Sequence, residues 1–217
     1  MAIQDRKGSR QAVDHLLALG HRRIAHISYA SLSYHGALLR LEGYRMALEA
    51  AGVPVEANLF AEADFTAASG YQAMQRILGS GARPTALFAG NDTIAMGAML
   101  ALREAGLSVP EDVAVVGYDD LPVASYTCPP LTTIRTHALE QGRLLARAAI
   151  ALMNGEKPQQ DVVPLELIVR NSCGAKRDES GSIRSPAVRA GPSTRRRSPQ
   201  GQRTNFQPSS PESGQRK

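Results

Sequence analysis

Tryptophan is absent, aromatic residues make up 5% of the chain, and cysteine occurs twice. Two cysteines, Cys128 and Cys173, without metal-ligand spacing exclude a zinc ribbon and a disulfide framework, and they fit a reduced, cytoplasmic setting. No apolar run approaches the ~18 residues that a membrane helix needs. Residues 1–11 lack the apolar core of a secretory signal. Gly-x-Gly-x-x-Gly, Walker and Gly-x-Ser-x-Gly motifs are missing, and His21, His26, His35 and His137 have no evident Ser or Cys partner. Catalysis, a metal and a cofactor are therefore not expected.

What remains is a globular composition of 217 residues, 43% apolar and 21% charged, long enough for one domain with a real core. The formal charge of +5 is unevenly spread. Residues 1–175 carry 15 Lys/Arg against 17 Asp/Glu, whereas residues 176–217 carry 10 against 3. That last stretch has five apolar residues among five Pro, eight Ser and four Gly, too few to offset chain entropy. It reads as a disordered basic tail, or as the product of a shifted reading frame, behind a domain spanning 1–175. Its Arg195-Arg196-Arg197 run reads as a solvated basic stretch, with nonspecific contact to nucleic acid as the second reading.

The body alternates between two periodicities. Strand-length apolar runs cover Ile24–Ser28, Thr85–Ala89, Val113–Gly117 and Leu165–Val169, with a weaker one at Asn58–Ala61. Helical patterns cover Ser9–Leu19, Ala37–Ala51, Ala67–Leu78, Asp92–Ala105 and Thr136–Met153. Gly20, Gly52 and Gly106 mark helix ends, and Thr66 and Asn91 are N-cap candidates. Short apolar runs alternating with helices predict a doubly wound α/β domain with a parallel sheet covered on both faces.

Ligands of such sheets bind at the carboxyl ends of the strands, where strand order reverses. The residues there include Arg40, on the first turn of its helix, Ala63-Asp64-Phe65, Gly90-Asn91-Asp92 and Tyr118-Asp119-Asp120. A guanidinium, a carboxamide, a carboxylate pair and an aromatic ring suit a polyol, whose hydroxyls need charged partners and whose C–H face needs an aromatic one. Each member has a second reading. Asn91 and Asp92 suit a helix cap, Asp119 and Asp120 an Asx-turn, Phe65 a core plug and Arg40 a surface ion pair.

The body resembles the effector-binding core of lactose-repressor-type (LacI/GalR) transcription regulators. The resemblance is carried by Leu19-Gly20-His21-Arg22-Arg23-Ile24-Ala25, by Arg40-Leu41-Glu42-Gly43-Tyr44, by the stretch from Arg83 to Asp92, by the stretch from Val109 to Asp120, and by Pro130-Leu131-Thr132-Thr133-Ile134. It implies a periplasmic-binding-protein-like fold, mainly the C-terminal lobe, with residues 134–157 returning toward a first lobe. The match begins near Asp5, and the DNA-reading headpiece, hinge helix and most of the first lobe are expected outside this sequence. Arg40 and Asp119 then correspond to the pair that grips sugar hydroxyls, and they are expected to be solvent-accessible. Asn91 adds a third polar contact, Phe65 stacks on the ligand and Tyr34 tunes specificity. The resemblance implies a sugar-like effector, no membrane contact, DNA binding only through the headpiece, and a homodimer through Ile94, Met96, Met99 and Leu121. A periplasmic sugar-binding protein of an uptake system is the alternative.

Overall fold

The computed structural model describes residues 4–158, 162–177 and 183–184. Helix α1 (Asp5–Ala18) leads into strand β1 (Ile24–Ser28), followed by α2 (His35–Ala50), β2 (Phe60–Glu62), α3 (Ala67–Gly79), β3 (Ala86–Ala89), α4 (Asp92–Glu104) and β4 (Ala114–Asp119). A 3-10 turn (Pro122–Tyr126) precedes β5 (Thr132–Arg135), α5 (Ala138–Met153) and β6 (Glu166–Ile168). Two two-residue strands, β7 (Lys176–Arg177) and β8 (Ile183–Arg184), pair antiparallel. The rest of the basic tail, including Arg195–Arg197, lies outside the described residues.

The local signals act as their chemistry requires. Gly20, Gly52 and Gly106 take φ values of 93°, 65° and 74°, the left-handed turn that ends a helix at little steric cost. Thr66 Oγ1 accepts from the Ser69 amide at 3.1 Å, and Asn91 Oδ1 from the Ile94 amide at 2.8 Å. The six-stranded sheet has the order β2-β1-β3-β4-β5-β6. Its first five strands are parallel, and β6 runs antiparallel along β5.

The central strands β1, β3, β4 and β5 are buried on both faces, while the edge strands β2 and β6 are partly exposed. Helices α1 and α2 cover one face around Leu16, Leu41, Tyr44, Phe88 and Val116. The other face is covered by α3 and α4 around Ile27, Met74, Ile77, Leu87 and Leu102. Gly97 lets α3 and α4 touch, because a Cβ there would lie 1.8 Å from the Ala67 carbonyl oxygen and 2.8 Å from the Tyr71 nitrogen. Both are backbone atoms, so Gly97→Ala must push the helices apart. We expect a loss of about 1–3 kcal/mol of stability, despite alanine's better helix propensity. A denaturant midpoint equal to that of the parent chain would refute this packing.

Four sequence expectations need correction. Strand β5 sits in a stretch that the sequence marks only by Pro130-Leu131-Thr132-Thr133, because a four-residue strand behind two prolines has no periodicity to read. The run at Leu165–Val169 pairs antiparallel, so the sheet is not purely parallel. Strand β4 continues through Tyr118 to Asp119, placing both residues in the strand rather than after it. Ile94 is wholly buried in the α3–α4 core, so its side chain presents no surface to a partner. Helix α5 carries no buried residue, and Leu139, Leu145, Ile150, Leu152 and Met153 stand exposed along it.

Candidate functional site

Strand order reverses between β1 and β3, since β2 lies on one side of β1 and β4 on the far side of β3. At such a switch point the loops leaving the two strands diverge and open a crevice at the carboxyl edge. Arg40 fills the floor of that crevice. Helix α2 starts at His35, so Arg40 lies on its second turn rather than its first. Its NH1 donates to the Gly90 carbonyl just beyond β3, and its guanidinium carbon lies 4.4 Å from the centre of the Tyr29 ring, just beyond β1. On the other side the Tyr118 ring lies at 3.7 Å. Nε donates to Asp5 Oδ1 at 2.8 Å, and NH2 faces Asp119 Oδ1 at 3.5 Å, just outside good hydrogen-bond distance.

Arg40 is therefore buried, 8% exposed, which corrects the expectation of a solvent-accessible side chain. The physical reason is that the Tyr29 and Tyr118 rings pack against the guanidinium while Asp5 and the Gly90 carbonyl take up two of its nitrogens. Asp119 keeps 31% of its side chain exposed. Burial raises its carboxyl to about 6, with Arg40 opposing and Asp5 adding to the rise. For Arg40, burial works against the charge, but Asp119 and Asp5 hold it firmly protonated.

The aromatic residues extend outward from this floor. Tyr29 meets Phe65 edge-on at 5.1 Å, and Phe65 meets Tyr34 at 5.5 Å. Exposure rises along the series, from 9% at Tyr29 through 47% at Phe65 to 59% at Tyr34. Phe65 has φ of 68°, Asp119 of 107° and Asp120 of 56°. Left-handed backbone is costly for such residues, and here it recurs at the carboxyl ends of two strands facing one crevice. The Phe65 amide donates to the Tyr29 carbonyl at 2.7 Å, which ties the aromatic loop to the end of β1.

Arg40, Asp119, Phe65 and Tyr34 are thus brought into one contact chain, and Asn91 stands beside Gly90 at its edge. Asn91 also caps α4, so its two readings are compatible: the carbonyl serves the helix, and the amide nitrogen remains for other partners. Asp92 and Asp120 are taken up by the fold. Asp92 is fully buried and accepts from Thr133 Oγ1 at 2.6 Å and from the Leu121 amide at 2.7 Å. Burial lifts its carboxyl to about 7, against the pull of those two hydrogen bonds. Asp120 is gripped at 2.7 Å by both Arg135 and Arg170. Burial favours its neutral form, but those two hydrogen bonds outweigh it and hold the carboxyl below its usual range.

Sequence reasoning gave Asp5 and Tyr29 no part in this cluster, and it placed Gly90 and Tyr118 at the strand ends without a role for the Gly90 carbonyl or the Tyr118 ring. Only the position of Tyr29 at the end of β1 could have flagged it, because Asp5 reaches the site through tertiary packing alone. Among the described residues no three His, Cys, Asp or Glu are grouped to hold a metal ion. Among them, too, no helix is long and apolar enough to cross a membrane.

Residues 13–173 match the family described as periplasmic binding protein-like domain. The chain is 41% identical over 167 residues to the HTH-type transcriptional regulator CelR of Thermobifida fusca, covering 76% of this chain and 49% of that one. It is 40% identical over 169 residues to the ribose operon repressor of Escherichia coli (strain K12), covering 77% and 51%. The solved CelR–cellobiose complex superposes with a TM-score of 0.75 at 40% identity, over 78% of this chain and 52% of that one. The lac repressor dimer bound to operator and the anti-inducer ONPF gives 0.74 at 36% identity, over 79% and 51%. This chain spans about half the length of the curated relatives it matches. These relatives are transcription regulators rather than enzymes or uptake proteins. The chain belongs to the periplasmic binding protein-like domain family, in the form carried by LacI-type transcription regulators.

Proposed function

We propose that this chain is the ligand-sensing half of a cytoplasmic LacI-type regulator and that it grips a sugar-like effector at the β1/β3 crevice. The observation that carries this reading is the Arg40–Asp119 pair, a positioned guanidinium 3.5 Å from a partly exposed carboxylate at the switch point of the sheet. Arg40 donates to hydroxyl oxygens, Asp119 accepts from vicinal hydroxyls, the Asn91 amide adds a donor, and Phe65 and Tyr34 cover the apolar face of a ring. A relative solved with cellobiose supports a sugar as the effector class. Operator reading falls to the half of such regulators that this chain does not span. The exposed apolar face of α5 suits packing against that half.

The test is a chimera in which residues 4–173 replace the matching half of the ribose operon repressor. A sugar from a panel of mono- and disaccharides should release the chimera from operator DNA. Asp119→Ala should weaken that response about ten- to a hundredfold, the worth of one charged hydrogen bond, and leave operator binding intact. A normal response from the variant would refute the assignment.

We also propose that two copies associate across the face formed by α4 and the 3-10 turn. A groove of about 760 Å³ there is lined by Met96, Met99, Leu100, Val123, Tyr126 and Pro129. Tyr126 is 85% exposed, and Leu121 beside it 37%. Light scattering at roughly 50 μM should report a dimer, and Leu100→Asp with Tyr126→Ser a monomer. A monomeric parent chain would count against this interface.

A further inference from the structure

The group that aims Arg40 belongs to none of the sequence motifs. Asp5 opens α1 and is 4% exposed, and its Oδ1 takes the Nε proton of Arg40 at 2.8 Å. Nε and NH1 each donate to a fixed partner, and together these two bonds set the rotation of the planar guanidinium about its stem. With Nε on Asp5 and NH1 on the Gly90 carbonyl, the remaining NH2 is left facing Asp119 across 3.5 Å. Tyr29 and Tyr118 then allow the group to lie only in the plane between their rings. The first turn of α2 is kept bare beside this packing. A Cβ on Gly36 would stand 2.4 Å from the Tyr29 hydroxyl and 3.4 Å from Asp5 Oδ2.

A buried ion pair is a poor way to gain stability, because desolvation consumes most of the Coulomb attraction and apolar packing does as well. Apolar packing cannot set the rotation of a guanidinium. Without Asp5, the nearest remaining carboxylate is Asp119, and Arg40 would swing to close that gap. A ligand would then have to break a tighter ion pair than the 3.5 Å one present here before using either partner.

We propose that Asp5 is a positioning residue for the effector grip, holding Arg40 by Nε so that NH2 stays 3.5 Å from Asp119, a loose pairing that one ligand hydroxyl can bridge from the crevice side. This rests on the reading of Arg40 and Asp119 as effector contacts.

The experiment follows the Arg40 Nε–H resonance by ¹H–¹⁵N NMR in the full chain, assigned by its disappearance in Arg40→Lys, with cellobiose as the probe sugar. In the parent chain the resonance should be sharp and slow to exchange. Asp5→Asn keeps an acceptor oxygen, so the resonance should persist and the cellobiose affinity should stay within about threefold. Asp5→Ala should speed exchange more than about tenfold and weaken cellobiose by about the same factor, with the backbone amide spectrum otherwise unchanged. If Asp5→Ala does not fold, Asp5→Ser takes its place, since serine suits a helix start but is too short to reach Nε. A protected Arg40 resonance in Asp5→Ala or Asp5→Ser overturns the proposal, as does Asp5→Asn behaving like Asp5→Ala. Asp119→Ala separates the two readings, because it should abolish cellobiose binding while leaving the Arg40 resonance protected. Retained binding in that variant overturns the effector reading, and the proposal with it. Loss of binding with an unchanged Arg40 signal supports both.

Discussion

Replacing Arg40 with Met should lower the unfolding free energy by about 3–5 kcal/mol, the largest single-residue effect expected in this chain. The substitution keeps most of the side-chain length, so the loss is not a cavity. It strands the buried Asp5 carboxylate and leaves the Gly90 carbonyl and Asp119 without their cationic partner. It also removes the flat cation between Tyr29 and Tyr118. Asp119, already lifted to about 6 with Arg40 beside it, would rise further and stay protonated at neutral pH. Urea unfolding measures the loss, and adding Asp5→Asn to Arg40→Met should recover part of it by removing the stranded charge. A change below about 1 kcal/mol would mean that Arg40 is a surface group and the crevice floor is wrongly described.

The second large effect is set by pH. His26 lies in the middle of β1, fully buried, with its ring stacked between Tyr44 at 5.1 Å and Phe88 at 4.9 Å. Nδ1 donates to the Phe88 carbonyl at 3.0 Å, and Nε2 has no partner among the described residues. Burial drives its pKa down to about 4, with the carbonyl hydrogen bond opposing and Arg40 and Arg45 adding to the fall. The unfolded chain binds this proton near pH 6.5, and the folded one only near 4. Stability from a neutral His26 is therefore intact above about pH 6.5 and declines as the pH falls toward 4, by about 3 kcal/mol. Asp92 and Asp119, whose pKa values are raised to about 7 and about 6, act in the opposite direction over overlapping pH ranges. The comparison that isolates His26 is thus parent against His26→Phe across pH 7 to 4. The variant should gain about 3 kcal/mol relative to the parent over that range. A constant difference would show that His26 is hydrated or already charged in the fold.

The doubly wound class was legible because apolar runs and helical periods alternate, and glycine stops at 20, 52 and 106 fall where left-handed backbone is needed. The edge of the sheet was less so. Strand β5 is too short to show a period, and direction cannot be read from composition, so the antiparallel β6 was not anticipated. At the crevice, Arg40, Asn91, Phe65 and Asp119 could be found because they follow strands or open helices, places that the topology sends to one edge. Asp5 could not, because its partner lies 35 residues away and no local pattern marks a carboxylate on the first turn of a helix as buried. Nor could sequence alone divide the three acidic candidates Asp92, Asp119 and Asp120. Asp92 and Asp120 differ from Asp119 in what surrounds them, Thr133 in one case and two arginines in the other.

A sugar titration of the full chain followed by NMR tests most directly whether the crevice between β1 and β3 is the proposed effector grip. Affinities of about millimolar are expected, within reach of such a titration. Cellobiose, ribose or a related sugar should shift the Arg40 Nε–H, the Asn91 side-chain amide and the Phe65 and Asp119 resonances together, and Asp119→Ala should erase those shifts. Shifts confined to the α4 groove, or none from any sugar up to roughly 100 mM, would contradict it.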